Sequence, residues 1–204
     1  MTTSLLLVIG VMLILVGFLL FRPVWLRSNV QKKALSGNAD AQYHLGLLCY
    51  TGQHFPQDDE QAFHWFSQAA AQGHVKAYNA LAGLYNEGRG CPKNSKQAFS
   101  YYQKSAQTGD FEGRINLAVC YLQGIGTLKN EEQGFLLLKQ AADDKSPLAQ
   151  TLLAQLYERG TATEKNPKQA LHYYVMAAKA GEPIAKKWLD QLEPDYLKQY
   201  KNQN

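Results

Sequence analysis

Apolar and small residues recur along this chain with a period of 36 residues. A small residue opens each repeat, and a leucine follows four positions later. The small residues are Ala41, Ala77, Gly113, Ala149 and Ala185, and the leucines are Leu45, Leu81, Leu117, Leu153 and Leu189. In the first four repeats, the residues five, seven and eight positions after the small residue are also apolar or small. All of these residues fall on one face of a helix, because a helix turns once every 3.6 residues. The pattern predicts a helix at the start of every repeat.

The later half of each repeat carries a second apolar stripe with helical spacing, and it includes an invariant alanine at Ala70, Ala106, Ala142 and Ala178. Between the stripes, a glycine is placed to end the first helix, at Gly52, Gly88, Gly124 and Gly160. An Asp or Asn is placed to begin the second helix, at Asp58, Asn94, Asn130 and Asn166. Neither helix can bury its stripe alone, so we expect the pairs to stack into an all-α, right-handed α/α solenoid.

The period divides the chain into segments. We expect four repeats, over 41–76, 77–112, 113–148 and 149–184. Residues 29–40 resemble the end of a preceding second helix and predict an N-terminal capping helix. Residues 185–192 start a fifth first helix that stops at Pro194, which predicts a C-terminal cap followed by a tail over 193–204.

Residues 5–21 form an apolar run without a charge. Seventeen helical residues reach roughly 25 Å, close to the thickness of the hydrocarbon core of a bilayer. The run has no basic start and no small-residue cleavage site, which favours an uncleaved single-pass anchor over 1–28 against a signal peptide. A lipoprotein would need a cysteine after the run, and a buried core helix would normally contain a polar interruption.

Basic residues follow this run, at Arg22, Arg27, Lys32 and Lys33, and none precedes it. The positive-inside tendency therefore predicts that the repeats lie in the cytoplasm, with the periplasm as the alternative. Three cysteines are too few for a disulfide scaffold. Cys49 and Cys120 fall on apolar helix positions, where a reduced thiol packs as a small apolar group.

The composition and charge of the chain limit the classes of partner that it can bind. The chain is 46% apolar, which excludes wholesale disorder. Residues 41–204 carry 17 Lys and Arg against 16 Asp and Glu, so the repeats are nearly neutral. Nucleic-acid binding depends on neutralising phosphates, and we therefore expect no nucleic-acid partner.

The repeat pattern resembles the Sel-1-like repeat, a 36-residue relative of the tetratricopeptide repeat. The resemblance covers residues 37 to about 192 and is closest over 81–109. Departures are local: Cys49 replaces a tyrosine, His54 and Ala162 replace the second loop glycine, and Lys145 replaces the closing glycine. The resemblance implies a solenoid and a non-catalytic adaptor that binds other proteins. Together with the predicted anchor, it implies a location in a bacterial inner membrane.

Catalytic or metal chemistry has little support in this sequence. No nucleophile motif, phosphate-binding loop or zinc-ligand spacing occurs, so we expect no enzyme, no cofactor and no small-molecule substrate. Four histidines lie in the first repeat, near Asp58 and Asp59. They fall on different helices and loops without a pair four residues apart, so we expect no metal site. These histidines are His44, His54, His64 and His74.

The first helices have a second face, opposite their core stripe, that in solenoids of this type lines the concave groove. Several residues there are apolar or aromatic where a solvated face should be polar, which is typical of a partner site. We predict that a protein or peptide binds at Tyr43, Leu47, Tyr50, Asn79, Asn86, Ile115, Val119, Leu122 and Gln155. The alternative is that the anchor-proximal segment, the C-terminal tail or a second copy covers them.

Two functions are compatible with this sequence. The first is a membrane-anchored scaffold that recruits a partner protein. The alternative is an envelope-facing inhibitor or immunity protein that blocks an enzyme with the same face.

Overall fold

The computed structural model describes residues 29–53 and 56–192, and all regular secondary structure in these ranges is α-helical. The predicted all-α class is therefore confirmed. The predicted anchor over 1–28, the tail over 193–204 and the His54 position lie outside the described residues. Among the helices that the structure describes, none is long and apolar enough to span a bilayer.

The first of two compact units ends at Lys93. Its described residues form four helices: α1 over 29–35, α2 over Ala39–Thr51, α3 over Asp59–Ala71 and α4 over Val75–Glu87. The cap predicted over 29–40 is thus divided, because its last two residues already belong to α2. Asn38 begins α2, and its side chain accepts a hydrogen bond from the backbone N–H of Ala41 at 2.8 Å.

The second unit begins at Asn94. Its described residues form six helices: α5 over Ser95–Gln107, α6 over Phe111–Gln123, α7 over Glu131–Asp143, α8 over Pro147–Arg159, α9 over Pro167–Lys179 and α10 over Pro183–Asp190. Five of these helices have 13 residues, whereas α10 has eight. The short α10 overlaps the C-terminal cap predicted over 185–192 but begins and ends two residues earlier.

The predicted helix boundaries are explained by capping side chains. Asp58, Asn94, Asn130 and Asn166 precede α3, α5, α7 and α9, and each accepts a hydrogen bond from the N–H of a glutamine three residues later, at 2.9–3.1 Å. The backbone N–H of Asn130 also donates to the carbonyl of Tyr121 on α6, at 2.8 Å. The same residue therefore begins one helix and ties it to the preceding one.

Two of the sequence departures keep the backbone geometry of the glycines they replace. Lys145 has φ of 64° and Ala162 has φ of 62°, and both are left-handed. The glycines at the positions equivalent to Lys145 (Gly73, Gly109 and Gly181) and to Ala162 (Gly90 and Gly126) have the same sign of φ. A left-handed residue with a Cβ costs roughly 1–2 kcal/mol. The tertiary arrangement of the loops therefore overrides the local preference of these two residues.

Close approach between helices depends on small residues at one position of each first helix, as the sequence predicted. At Gly46 of α2, an added Cβ would lie 2.6 Å from Cδ1 of Phe66 on α3. Ala118 and Ala154, at the same position of later repeats, are fully buried. In α5–α10 the buried apolar residues form two connected clusters, one from α6 to α8 and the other from α8 to α10.

A second close approach, between α5 and α6, generates a prediction about stability. A Cβ on Gly113 would lie 2.3 Å from Oγ of Ser105, whereas the equivalent pairs in other repeats are two alanines. We expect Gly113→Ala to lower the free energy of unfolding by about 1–3 kcal/mol, because it overpacks this contact. Adding Ser105→Ala should recover part of the loss. Chemical denaturation measures both effects.

The control is Gly83→Ala, since Gly83 is also helical but an added Cβ would have no atom within 4 Å apart from the adjoining residues and backbone of its own helix. This substitution should stabilise the protein by roughly 0.5–1 kcal/mol, as alanine restricts the unfolded backbone more than glycine. Equal effects at Gly113 and Gly83 would contradict the packing explanation.

Candidate functional site

The predicted groove residues divide between the two units. Tyr43, Leu47 and Tyr50 lie on α2, and Asn79 and Asn86 lie on α4. In the second unit, α6 carries Ile115, Val119 and Leu122, and α8 carries Gln155. Each unit therefore has its own candidate surface.

In the second unit, three of the four predicted residues meet at a cavity of about 210 Å³ between α6 and α8. Val119 and Leu122 contribute from α6, Gln155 contributes from α8, and the fully buried Leu138 of α7 also lines the cavity. The complete lining is Val119, Leu122, Gln123, Leu138, Leu152, Gln155, Leu156, Arg159 and Thr161. It combines aliphatic side chains with two amides, a hydroxyl and one cation, and contains no acidic residue.

Ile115 does not belong to this surface, and its prediction as a partner contact is wrong. Its side chain is only 3% exposed and belongs to the core cluster of α6, α7 and α8. Asn79 on α4 is likewise buried, at 9% exposure. Both are the third residue of their repeat and the fifth residue of their helix. Neighbouring helices cover this part of α4 and α6, and a helical wheel drawn for one isolated helix does not show that burial.

The tyrosines of α2 make contacts within the first unit. The ring of Tyr43 stacks on that of His74, with centroids 4.6 Å apart. The guanidinium of Arg89 lies over the Tyr50 ring, 4.2 Å from its centroid. Arg89 also forms a two-pronged ion pair with Asp59, at 2.9 and 2.7 Å. This pair lowers the pKa of Asp59 and raises that of Arg89 through the shared hydrogen bonds.

Leu47 and Asn86 are half-buried on α2 and α4, respectively. Their role as partner contacts stays a prediction. Six residues of the α6–α8 cavity lining were missed by the sequence prediction of the partner site: Gln123, Leu138, Leu152, Leu156, Arg159 and Thr161. Leu152 had a detectable signal, because its repeat position is occupied by His44, Ala80 and Asn116 elsewhere. Thr161 lies in the loop after α8, where a helical wheel gives no orientation.

A second and more open depression, of about 650 Å³, borders the first turn of α3 in the first unit. Its lining includes Asp58, Asp59 and Glu60, together with Cys91. Asp58 caps α3 and Asp59 pairs with Arg89, so two of these carboxylates already have partners. Among the described residues, no group of three or more His, Cys, Asp or Glu side chains is arranged to hold a metal ion.

The cysteines lack the environment of reactive thiols. Cys49 and Cys120 are buried on apolar helix faces, as predicted, and neither they nor Cys91 form disulfides. Burial raises the pKa of Cys120 to about 11, and it also raises the pKa of the half-buried Cys91. These two groups therefore remain protonated thiols at neutral pH, and a thiol is a poor nucleophile.

His74 caps α4 with its ring. Its Nδ1 accepts the N–H of Ala77 at 3.2 Å, and its Nε2 lies 3.2 Å from a carboxylate oxygen of Asp40. Partial burial lowers the pKa of His74, although the carboxylate of Asp40 acts in the opposite direction. The neighbouring His44 lowers this pKa further when it is charged. Protonation at Nδ1 would remove the acceptor that the cap requires.

This cap predicts a pH dependence of stability. Because the pKa of His74 is lower in the folded state than the ordinary value of 6.5, the unfolded chain binds protons more readily in acid. The resulting stability is complete above pH 6.5 and is lost as the pH falls through the folded-state pKa. His74→Asn retains a capping acceptor without this titration. We expect the fall in unfolding free energy between pH 7.5 and pH 5 to be smaller in this variant.

The matched control is His172→Asn, which removes an exposed histidine from α9. It should leave the acid loss of stability close to that of the wild type. If both variants lose the same stability in acid, His74 is not the titrating cap.

The recurring capped helix pairs define the class of this molecule as a helical repeat protein. The Sel1 repeat family model matches residues 39–74, 75–110, 112–146 and 147–182. These matches cover well over half of the sequence, and the chain belongs to the Sel1 repeat family. Proteins of this family are generally protein-interaction scaffolds and are typically non-catalytic. No curated protein matches the chain.

Solved structures show the same fold. The chain is similar to c5321, a protective antigen of uropathogenic Escherichia coli, with 32% identity and a TM-score of 0.67 over 78% of this chain and 34% of the antigen. A Sel1 repeat protein of Oxalobacter formigenes has 23% identity and a TM-score of 0.71 over 76% of this chain and 63% of that protein. The chain thus spans about a third of the first relative and under two thirds of the second.

A weaker similarity extends to the immunity protein PA5088 of Pseudomonas aeruginosa. Its identity is 23% and its TM-score is 0.42, over 77% of this chain and 72% of that protein.

Proposed function

We propose that this protein is a membrane-anchored scaffold that binds a partner protein at the α6–α8 cavity. The observation that carries the proposal is the aliphatic cavity between two neighbouring first helices, rimmed by Gln123, Gln155 and Arg159. Interface centres combine this kind of desolvated apolar pocket with a polar rim. The general role of Sel1 repeat proteins as interaction scaffolds supports this use of the cavity.

The size of the cavity favours a protein side chain as its occupant. Its volume is about 210 Å³. Small-molecule and cofactor sites usually enclose roughly 300–1,000 Å³. A peptide can place one aliphatic side chain in a smaller space while its backbone remains at the rim.

Site-specific photo-crosslinking tests the partner site. We place a photoreactive amino acid at Gln123, which is exposed at the cavity rim, and irradiate intact cells. A discrete crosslinked species is expected, and Val119→Phe should remove it by filling the cavity. Mass spectrometry of this species identifies the partner and distinguishes a recruited protein from an inhibited enzyme, which stays the alternative function.

Two controls accompany the crosslinking. Leu136, which is 43% exposed on α7, receives the same photoreactive group and should not give that species. Leu136→Phe, a matched enlargement outside the cavity lining, should leave the Gln123 crosslink intact. Crosslinking that is unaffected by Val119→Phe would exclude the cavity as the partner site.

The proposed anchor rests on the uncharged apolar run over 5–21 and on the basic residues that follow it. We propose a bacterial inner-membrane protein with its repeats in the cytoplasm, and the periplasm remains the alternative. A pair of topology reporters fused after Asn204, one active only in the periplasm and the other only in the cytoplasm, distinguishes these compartments.

Alkaline extraction of membranes tests the anchor itself. The full chain should stay in the pellet, because alkali releases peripheral proteins but not spanning ones. Leu13→Lys with Ile14→Lys should move the chain to the supernatant, since each charge at the centre of a span costs roughly 2.5–3.5 kcal/mol. The matched swap Leu13→Ile with Ile14→Leu should remain in the pellet. A wild-type chain that alkali extracts would contradict the proposal.

A further inference from the structure

The two units carry different residues at equivalent positions around their candidate surfaces. Two repeats separate Tyr50 of α2 from Leu122 of α6, and the same interval separates Glu87 of α4 from Arg159 of α8. The equivalent of Arg89, in the loop after α4, is Thr161 in the loop after α8. The 36-residue period therefore allows the two sites to be compared position by position.

In the first unit, this position is filled from within the chain. The guanidinium of Arg89 covers the Tyr50 ring at 4.2 Å and is held by Asp59 at 2.7 and 2.9 Å. A second carboxylate oxygen, of Glu87, lies 3.7 Å from Arg89. Arg89 thus contacts the Tyr50 ring and two carboxylates of the same unit, and this surface needs no external ligand to balance its charges.

In the second unit, the equivalent of the covering arginine is the short Thr161, and the aliphatic Leu122 takes the place of the tyrosine. The cavity lies where these two residues meet the α6–α8 surface. The short Thr161 side chain does not cover the apolar surface as Arg89 does in the first unit, and a cavity is present there instead.

The charge at the rim is also reversed, because the equivalent of Glu87 is Arg159. Arg159 is exposed and, within residues 29–53 and 56–192, it makes no ion pair. Its neighbour Glu158 is engaged elsewhere, since its carboxylate accepts hydrogen bonds from the hydroxyl of Tyr174 at 2.9 Å and from the indole N–H of Trp188 at 3.0 Å. The cavity thus combines an aliphatic interior with an uncompensated cation.

We propose that the α6–α8 cavity binds an acidic–aliphatic segment of a partner protein. An aliphatic side chain of that segment fills the space beside Val119 and Leu122, and an Asp or Glu within two residues of it pairs with Arg159. The amides of Gln123 and Gln155 hydrogen-bond the backbone of the segment. This inference rests on the proposed function and adds the chemistry of the partner to it.

The probe is a phage library that displays random 12-residue peptides, panned against the immobilised full-length chain in detergent. Peptides that pair Leu, Ile or Val with a nearby Asp or Glu should be enriched. Panning against Arg159→Glu should lose this preference and select Lys and Arg instead. The control Lys139→Glu changes an exposed residue of α7 outside the cavity lining and should select the same peptides as the wild type.

Fluorescence anisotropy with the synthetic form of a selected peptide gives the quantitative test. Its affinity should fall about tenfold for Arg159→Glu, because an attractive charge pair becomes a repulsive one. Its affinity for Lys139→Glu should be unchanged. If circular dichroism shows that Arg159→Glu is unfolded, Arg159→Gln takes its place and should lose the acidic preference without selecting cations.

The possible failures are distinguishable. Peptides that lose binding in Val119→Phe but bind Arg159→Glu normally would overturn the acidic specificity and leave the partner site intact. Peptides that bind Val119→Phe normally would overturn both proposals. Absence of enrichment, together with self-association of the chain that Val119→Phe abolishes, would show that a second copy is the occupant and would also overturn the acidic–aliphatic partner.

Discussion

The architecture depends on a close approach of helices that only a small residue permits. At Gly46, the ring of Phe66 already occupies the space that a Cβ would need, and fully buried alanines hold the corresponding position in later repeats. Each helix has an apolar stripe too narrow to form a core alone. Burial therefore requires the neighbouring helix to come close along the whole stripe, and one large side chain at this position would separate the pair.

Capping fixes the lengths that make this packing repeat. In each of the four repeats, the second helix begins at an Asp or Asn whose side chain accepts a backbone N–H. The first helix of each of these repeats ends at a left-handed glycine. Because the caps are equally spaced along the sequence in each repeat, the apolar stripes of neighbouring helices lie at the same level along the helix axes. Lys145 and Ala162 show the strength of this constraint, because they adopt the glycine geometry without being glycine.

Because each repeat keeps the same backbone, a change of one loop residue can alter the binding surface of that repeat. Arg89 covers the ring of Tyr50 and is neutralised by Asp59, so that surface is complete in itself. Thr161 occupies the equivalent position beside Leu122, where a cavity opens and Arg159 stays without an ion pair in the described part of the chain. The backbone plan is the same at both places, and the difference between a filled and an open surface comes from side-chain length and charge.

The sequence by itself determined the helix pairs, their boundaries and their core stripes, because periodicity, glycine stops and Asx caps are local signals that repeat. It also identified Val119, Leu122 and Gln155, which the structure brings to one cavity. It failed at Ile115, since burial near a helix start depends on neighbouring helices and not on the wheel of one helix. Only the tertiary structure decided that Arg89 covers Tyr50 and that Thr161 leaves an opening, because a loop side chain has no periodicity from which its direction could be predicted.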